Sequence, residues 1–127
     1  MGNYGIGRDS GVIDSRVPDD AYCAHRIRFI CDDISNTRFM EVGGGFGGMA
    51  LFALRAGATR WPIVDLPIMN VVQGYFLIKC LGGNNVRLFG EDNPTAGIEV
   101  LPYWEFFNRG PRLFRRVQPL LDDGNPT

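Results

Sequence analysis

The stretch Phe39-Met40-Glu41-Val42-Gly43-Gly44-Gly45-Phe46-Gly47-Gly48 decides the predicted fold. A short apolar run ends in an acidic residue, a glycine-dense turn follows, and residues 49–56 are mostly good helix formers. This order is typical of a strand, a tight loop and a helix. In open α/β sheets a nucleotide-like ligand binds at such a loop, outside the carboxyl end of the strand.

Strands and helices alternate on the carboxyl-terminal side of this loop. Strands are predicted over 38–42, 60–64 and 86–89, and helices over 47–56 and 67–81. Such alternation implies right-handed crossovers and a parallel sheet. After Pro94 the pattern weakens, and it predicts a short strand over 98–101 and a helix over 111–121. The predicted fold class is therefore α/β, with a partial parallel sheet of three to four strands flanked by helices.

Apolar spacing predicts which helix faces are buried. In the helix over 67–81 the apolar residues recur at intervals close to three, four and seven, as on one helical face. These residues are Ile68, Val71, Val72, Tyr75, Ile78 and Leu81. Another helix is predicted from Pro18 to about Cys31, with Tyr22, Ile27 and Ile30 facing inward, after an extended or looped lead-in over 1–17. We therefore divide the single domain into an N-terminal part, 1–36, and a ligand-binding part, 37–127.

Composition indicates a globular chain with no bias toward polyanionic partners. The 127 residues are 45% hydrophobic and 21% charged, and the formal net charge is −1. This balance predicts neither a nucleic-acid nor a membrane partner. The cysteines, Cys23, Cys31 and Cys80, are odd in number and lack CxxC spacing, so we expect free buried thiols. Without a signal peptide or an apolar run of about 18 residues, the predicted location is cytoplasmic.

The glycine loop fits two ligand fingerprints. Gly43-x-Gly45-x-x-Gly48 satisfies the dinucleotide pattern, which is weak evidence alone. Gly43-x-Gly45-x-Gly47 preceded by Glu41 satisfies the pattern of S-adenosylmethionine-dependent methyltransferases with a Rossmann-like sheet. An acidic Glu41 would repel a pyrophosphate, whereas it is compatible with the sulfonium and ammonium of S-adenosylmethionine. A turn that binds no ligand remains the alternative.

Acidic residues follow the next two predicted strands. Asp65 lies 18 residues after Gly47, where a carboxylate can accept hydrogen bonds from both ribose hydroxyls of either cofactor. Its alternative role is to cap the helix that begins at Pro67. Glu91 and Asp92 follow the third strand, where a carboxylate could bind an adenine amino group or could simply lie in a solvated turn.

Few residues could act as a catalytic base or bind an acceptor. His25 is the sole histidine and hence the one imidazole candidate for a general base. Arg26 could pair with a ligand carboxylate or could be a solvated helix residue. Trp104, Phe106 and Phe107 fit either a sugar site or a core that covers the sheet. No metal site is predicted.

Three segments resemble the bacterial sugar O-methyltransferase family. They are Glu41-Val-Gly-Gly-Gly-Phe-Gly-Gly48, Ile63-Val-Asp-Leu-Pro67 and Gln73-Gly-Tyr-Phe-Leu77, and the resemblance covers roughly residues 2–92. It implies a class I, Rossmann-like fold in which the glycine loop holds the methionine part of S-adenosyl-L-methionine. The cofactor-binding residues predicted in this way are Glu41, Gly43, Gly44, Gly45, Gly47, Asp65, Leu66 and Asp92. Gln73 matches the family without an assigned role.

The resemblance implies transfer of a methyl group to a hydroxyl of a small-molecule or saccharide acceptor. Proteins of this class normally have further strands that build the acceptor pocket. We therefore interpret the chain as a fragment, a truncated gene product, or half of something assembled from other chains. The partner predictions include a homo-oligomer. The alternatives are a non-catalytic cofactor-binding remnant, a partner subunit, or an NAD-binding module. The first two predict binding without methyl transfer.

Overall fold

A computed structural model describes the backbone of residues 5–8 and 11–114, and the side chains of residues 15–109. The strands are β1 (Gly5–Arg8), β2 (Gly11–Asp14), β3 (Glu41–Val42), β4 (Trp61–Asp65), β5 (Val86–Leu88) and β6 (Ile98–Pro102). The α-helices are α1 (Arg16–Ile30), α2 (Gly48–Arg55), α3 (Pro67–Leu81) and α4 (Trp104–Phe114), and a 3₁₀ turn covers Gly83–Asn85. Strands β1 and β2 form an antiparallel pair.

The remaining four strands form one parallel sheet in the order β3-β4-β6-β5. The predicted α/β class, a partial Rossmann-like parallel sheet with flanking helices, is therefore confirmed. Pro62 lies inside β4, but β3 pairs only with Ile63 and Val64. The proline, which has no N–H to donate, thus lies beyond the end of that ladder.

Helices α2 and α3 pack on one face of this sheet. Helix α2 lies in the connection from β3 to β4, and α3 lies in the connection from β4 to β5. Both connections run in the same direction across the sheet, so right-handed crossovers place the two helices on the same side. The core between them is made of alanines, branched aliphatic side chains and one tryptophan: Ala50, Leu51, Ala53, Ala58, Trp61, Ile63, Leu77, Val86, Ile98 and Val100. This packing fixes the carboxyl ends of β3 and β4 relative to the glycine loop.

Helix α3 has the predicted bounds, but the prediction of its buried face is only partly correct. Ile78 and Leu81 pack against the core as predicted, whereas three of the six residues are exposed. Ile68, Val71 and Tyr75 are 69%, 68% and 69% exposed. The buried residues of α3 are Gln73, Gly74 and Leu77. The physical reason lies at Gly74, where an added Cβ would lie 2.8 Å from Leu88 Cδ2. A search for apolar periodicity counts neither Gly74, which lets the helix approach the sheet closely, nor the buried amide of Gln73, so it could not predict this face.

The orientation of α3 can be tested by truncating one residue on each face. Leu77 is fully buried, so Leu77→Ala is expected to lower the free energy of unfolding by about 2–5 kcal/mol. Val71→Ala on the exposed face is the matched control and should change it by less than about 0.5 kcal/mol. Urea unfolding followed by tryptophan fluorescence measures both. A larger loss for Val71→Ala than for Leu77→Ala would contradict the observed orientation.

The N-terminal part differs from its prediction in three ways. Part of the lead-in forms the β1–β2 pair, and α1 begins at Arg16 rather than at Pro18. The predicted inward positions Tyr22 and Ile30 are 59% and 73% exposed. Ala24 is buried instead and Ile27 is half-buried, because α1 packs against α2 over a narrow stripe.

The C-terminal helix begins earlier in the chain than predicted. Helix α4 begins at Trp104, so the aromatic segment 104–107 is helical, and the predicted helix over 111–121 lies outside the described residues beyond Phe114. Trp104 is 40% exposed and Phe107 is 71% exposed, which places neither in the sheet core. The short strand predicted over 98–101 is confirmed as β6.

Two further sequence predictions concern the surface of the described residues. Cys23 and Cys80 are exposed and Cys31 is half-buried, so the prediction of buried thiols is wrong, although all three cysteines are free. Within the part of the chain that the structure describes, no helix has the length and apolar character needed to cross a membrane.

Candidate functional site at the glycine loop

The loop between β3 and α2 adopts a conformation that favours glycine. Gly43, Gly45 and Gly47 have φ values of 74°, 55° and 92°, in the left-handed region. The Gly43 N–H donates to the Val64 carbonyl at 2.9 Å, and the Gly47 N–H donates to the Gly44 carbonyl at 2.8 Å. These bonds hold the loop against the carboxyl end of β4, so the sequence motif forms the compact turn that it predicts.

A cavity of about 510 Å³ lies beside this loop. This volume falls within the roughly 300–1,000 Å³ range of small-molecule sites. Its lining comes from α1, the loop, α2 and α3, and includes Arg16, Asp20, Glu41, the loop residues 43–46, Met49, Phe52 and Phe76. Charged groups therefore meet an apolar wall and exposed loop backbone in one cavity.

Glu41 is one of the residues that line this cavity. Its Oε2 accepts a hydrogen bond from the Trp61 indole Nε1 at 2.7 Å. Burial raises the pKa of the Glu41 carboxyl above its ordinary value, and the hydrogen bond from Trp61 opposes this rise only in part. The negative charges of Asp20 and Asp65 raise the pKa further. Glu41 is thus a carboxylate whose ionised form a nearby cation would stabilise.

Asp20 reaches the loop from α1. A Cβ added to Gly48, the first residue of α2, would overlap the Asp20 carboxylate. The N-cap of α2 is Gly47, which supplies no side-chain hydrogen bond. A carboxylate at this position is favoured by the helix dipole. The place of Asp20 beside the loop was not predicted from the sequence, because it depends on how α1 docks against α2.

Asp65 lies at the end of β4, next to the loop. Its Oδ1 accepts the Leu66 N–H at 2.7 Å, and its Oδ2 accepts a hydrogen bond from Gln73 Nε2 at 2.8 Å. Helix α3 has Leu66 as its N-cap and no side-chain cap bond, so the alternative role of Asp65 as a helix cap is not observed. Leu66 itself is 55% exposed beside Asp65.

The structure brings some of the predicted site residues together and separates others. Glu41, the loop glycines and Asp65 lie at the carboxyl ends of the neighbouring strands β3 and β4. Asp92 is exposed in the turn after β5, and β6 intervenes between β4 and β5. The neighbouring Glu91 accepts the Leu88 N–H through Oε2 at 2.9 Å. This arrangement places Asp92 two strands away from β4.

The two α1 candidates lie on the solvent side of that helix. His25 is exposed and packs edge-to-face on Phe29, with ring centroids 4.8 Å apart. Arg26 is exposed, with its guanidinium 5.9 Å from the centroid of the Tyr22 ring. Neither residue lines the loop cavity, whereas Arg16 does. Arg16 was missed because it precedes the predicted start of the helix.

A second cavity, of about 710 Å³, lies at the amino ends of the strands. Arg38, Arg60, Glu99 and Arg109 contribute to its lining. Glu99 is 3% exposed and binds Arg87 at 2.7 Å and Arg109 at 2.6 Å, and Arg60 is a third partner. Burial raises the pKa of the Glu99 carboxyl, but the bonds and charges of the arginines outweigh it, and the net pKa is lowered. We interpret this cluster as a structural ion network.

These features define an α/β sheet protein with an acidic glycine-loop cavity. Among the described residues, no group of three or more histidine, cysteine or acidic side chains is placed to hold a metal ion. In comparisons with known proteins, the chain matches no protein-family model, no curated protein and no solved structure. The resemblance to sugar O-methyltransferases therefore stays a prediction from the quoted motifs.

Proposed function

We propose that the glycine-loop cavity binds S-adenosyl-L-methionine and that the chain is an O-methyltransferase or its cofactor-binding part. The observation that carries this proposal is the convergence of three carboxylates, Asp20, Glu41 and Asp65, around the loop. Arg16 also lines the cavity, so the site combines acidic lining residues with one guanidinium at its side.

The charges favour a cation over an anion at the loop. S-adenosylmethionine carries a sulfonium, an ammonium and a carboxylate, and therefore has a net positive charge. Burial is the main cause of the raised pKa of Glu41, and the negative charges of Asp20 and Asp65 add to it, so a bound cation would favour the ionised carboxylate. The ligand carboxylate can pair with Arg16. The Nη1 atom of Arg16 lies 3.4 Å from the point that a Cβ added to Gly45 would occupy, and so lies beside the loop. Each charged group of the ligand thus has a counterpart of opposite sign.

The same geometry argues against an NAD-binding module. A dinucleotide places its pyrophosphate at the N-terminus of the helix after the glycine loop, where free N–H groups and the helix dipole stabilise negative charge. In this chain the Asp20 carboxylate lies against Gly48 at that place. A pyrophosphate would therefore meet the Asp20 carboxylate at the position where an open anion site is expected.

Asp65 supports the nucleoside half of the proposal. Its carboxylate is at the end of the strand next to the loop, and each oxygen has a remaining lone pair after its bond to Leu66 or Gln73. Two ribose hydroxyls can donate to these lone pairs. Both S-adenosylmethionine and NAD contain a ribose, so Asp65 supports the binding of a nucleoside but does not distinguish the two cofactors. The argument for S-adenosylmethionine rests on Asp20 and Glu41.

The resemblance extends the proposal to the reaction. Bound S-adenosylmethionine supplies a methyl carbon made electrophilic by the positive sulfur. A sugar hydroxyl oxygen would form the new C–O bond as the C–S bond breaks, the sulfur would keep the electron pair, and the hydroxyl proton would pass to solvent or a base. The chain's own contribution is to hold donor and acceptor in line.

The second candidate function is cofactor binding without methyl transfer, as in a non-catalytic remnant or a partner subunit, because His25, the candidate base, lies outside the cavity. The free cysteines fit the proposed cytoplasmic location.

Calorimetric titration tests the choice of ligand. S-adenosylhomocysteine, which keeps the nucleoside and amino acid but no phosphate, is expected to bind the wild-type chain more tightly than ADP-ribose by at least about tenfold. Asp20→Asn should reduce the ratio of the S-adenosylhomocysteine affinity to the ADP-ribose affinity, because it removes the negative charge at the N-terminus of α2. Asp19→Asn, one residue earlier, is the matched control. Tighter binding of ADP-ribose to the wild-type chain would overturn the proposal in favour of a dinucleotide.

A further inference from the structure

Gln73 is a buried polar residue that the proposed chemistry does not use. Its side chain is fully buried in α3. Its Nε2 donates to the Gly45 carbonyl at 3.0 Å and to Asp65 Oδ2 at 2.8 Å, and its Oε1 accepts a bond from Asn70 Nδ2 at 3.1 Å. Every hydrogen-bonding atom of this amide therefore has a partner.

The chemistry of the partners fixes the orientation of the amide. The Gly45 carbonyl and an ionised Asp65 only accept hydrogen bonds, so the group that faces them must be the amide NH₂. A single nitrogen thus bridges the loop after β3 and the carboxyl end of β4. The Gln73 side chain is fully buried, so the hydrogen bonds of its amide lie in surroundings of low dielectric constant, which strengthens them.

The two bridged groups belong to different parts of the ligand site. The glycine loop faces the methionine half of the ligand under the proposed function, and Asp65 faces the ribose. Asp65 is held by the Leu66 N–H on one oxygen and by Gln73 on the other, so its rotamer is set from both sides. A shift of the loop at Gly45 would be passed directly to the ribose-binding carboxylate through one side chain.

We propose that Gln73 is a positioning residue that couples the loop half of the site to the ribose half. The naming of the two halves rests on the proposed function, whereas the mechanical coupling of loop and strand end does not. Because both halves share one donor, ordering either half makes the other half better positioned. Binding of one half of the ligand then favours binding of the other, and the coupling is reciprocal.

Hydrogen exchange of the ligand-free chain tests the coupling directly. In Gln73→Leu, the Gly47 amide in the loop and the Leu66 amide beside Asp65 are expected to exchange faster together, by at least about tenfold. The Gly57 amide, bonded to the Leu54 carbonyl at the end of α2, is the internal control and should keep its rate. Wild-type rates at both Gly47 and Leu66 in folded Gln73→Leu would overturn the inference, whether or not any ligand binds.

Gln73→Glu gives a second test with a pH signature. At pH 8 the introduced carboxylate would face Asp65 and the Gly45 carbonyl, and we expect S-adenosylhomocysteine affinity to fall at least about tenfold. Once protonated, the introduced carboxyl group can donate again, so affinity should recover toward pH 5.5, while the wild-type chain shows no such recovery. Wild-type affinity of this variant at pH 8 would contradict the inference. Failure of the wild-type chain to bind at all would instead contradict the proposed function, and the exchange experiment would still decide the coupling.

Discussion

Glu99→Ala is expected to lower the free energy of unfolding by about 3–5 kcal/mol, the usual cost of removing one partner from a buried ion pair. The carboxylate of Glu99 is almost fully buried, and it neutralises the guanidinium groups of Arg87 and Arg109, which are 20% and 35% exposed. Without it these charges would face each other at the amino ends of β5 and β6. We therefore expect the variant to be marginally folded or unfolded.

Urea unfolding at pH 7 measures this effect, and Arg60→Ala is the matched control. Arg60 is 65% exposed, so solvent screens its bond to Glu99 and its loss should cost no more than about 1 kcal/mol. The lowered pKa of Glu99 also fixes a pH dependence. Its stabilising contribution is complete above the ordinary pKa of 4.5 and is lost as pH falls through the lowered value. An equal loss for both variants would contradict the structural role of the network.

Asp65→Asn is expected to weaken the binding of S-adenosylhomocysteine by about 10- to 100-fold. The substitution keeps the shape of the side chain, but it removes the charge and replaces one acceptor oxygen by an NH₂ donor, so either Leu66 or Gln73 also loses its acceptor. Hydrogen bonds to a charged group contribute about 1.5–3 kcal/mol. Asp65 is half-buried and already positioned by Leu66 and Gln73, so a ribose would meet an ordered carboxylate. Calorimetry on the purified variant measures the change.

The control for Asp65→Asn is Asp32→Asn, an exposed carboxylate in the turn after α1. It changes the net charge of the chain by the same amount, so a general electrostatic effect would weaken binding in both variants. Thermal unfolding of Asp65→Asn checks that the variant is folded at the temperature of the titration. Unchanged affinity in Asp65→Asn would remove this residue from the ligand site.

Local patterns predicted the sheet and the loop because both depend on neighbouring residues. The glycine spacing of Gly43, Gly45 and Gly47 matches the three positive φ values, and the alternation of apolar runs and helix formers gave the parallel strands. The bounds of α3 were likewise set by Pro67 at its start and by Gly82 just after its end. Each of these signals acts within a few residues along the chain.

Features that depend on packing between distant segments could not be predicted in this way. The apolar period in α3 pointed to Ile68, Val71 and Tyr75, but Gln73 and Gly74 are buried because Gly45, Asp65 and Leu88 approach them there. The order of β5 and β6 was also hidden, because the pairing of β6 with β4 is set by long-range contacts. The Asp20 carboxylate lies next to Gly48 because α1 packs against α2, and this packing could not be predicted from the sequence.

Amide chemical-shift mapping with S-adenosylhomocysteine tests the central claim most directly, because it locates the ligand on the folded chain. We expect saturable shifts at the amides of the glycine loop, 43–48, and at Leu66, with little change at Arg38, Arg60 and Arg109 in the cavity at the amino ends of the strands. Such a result would place the nucleoside at the acidic loop. No shifts at millimolar ligand, or shifts confined to the arginine-lined cavity, would contradict the account.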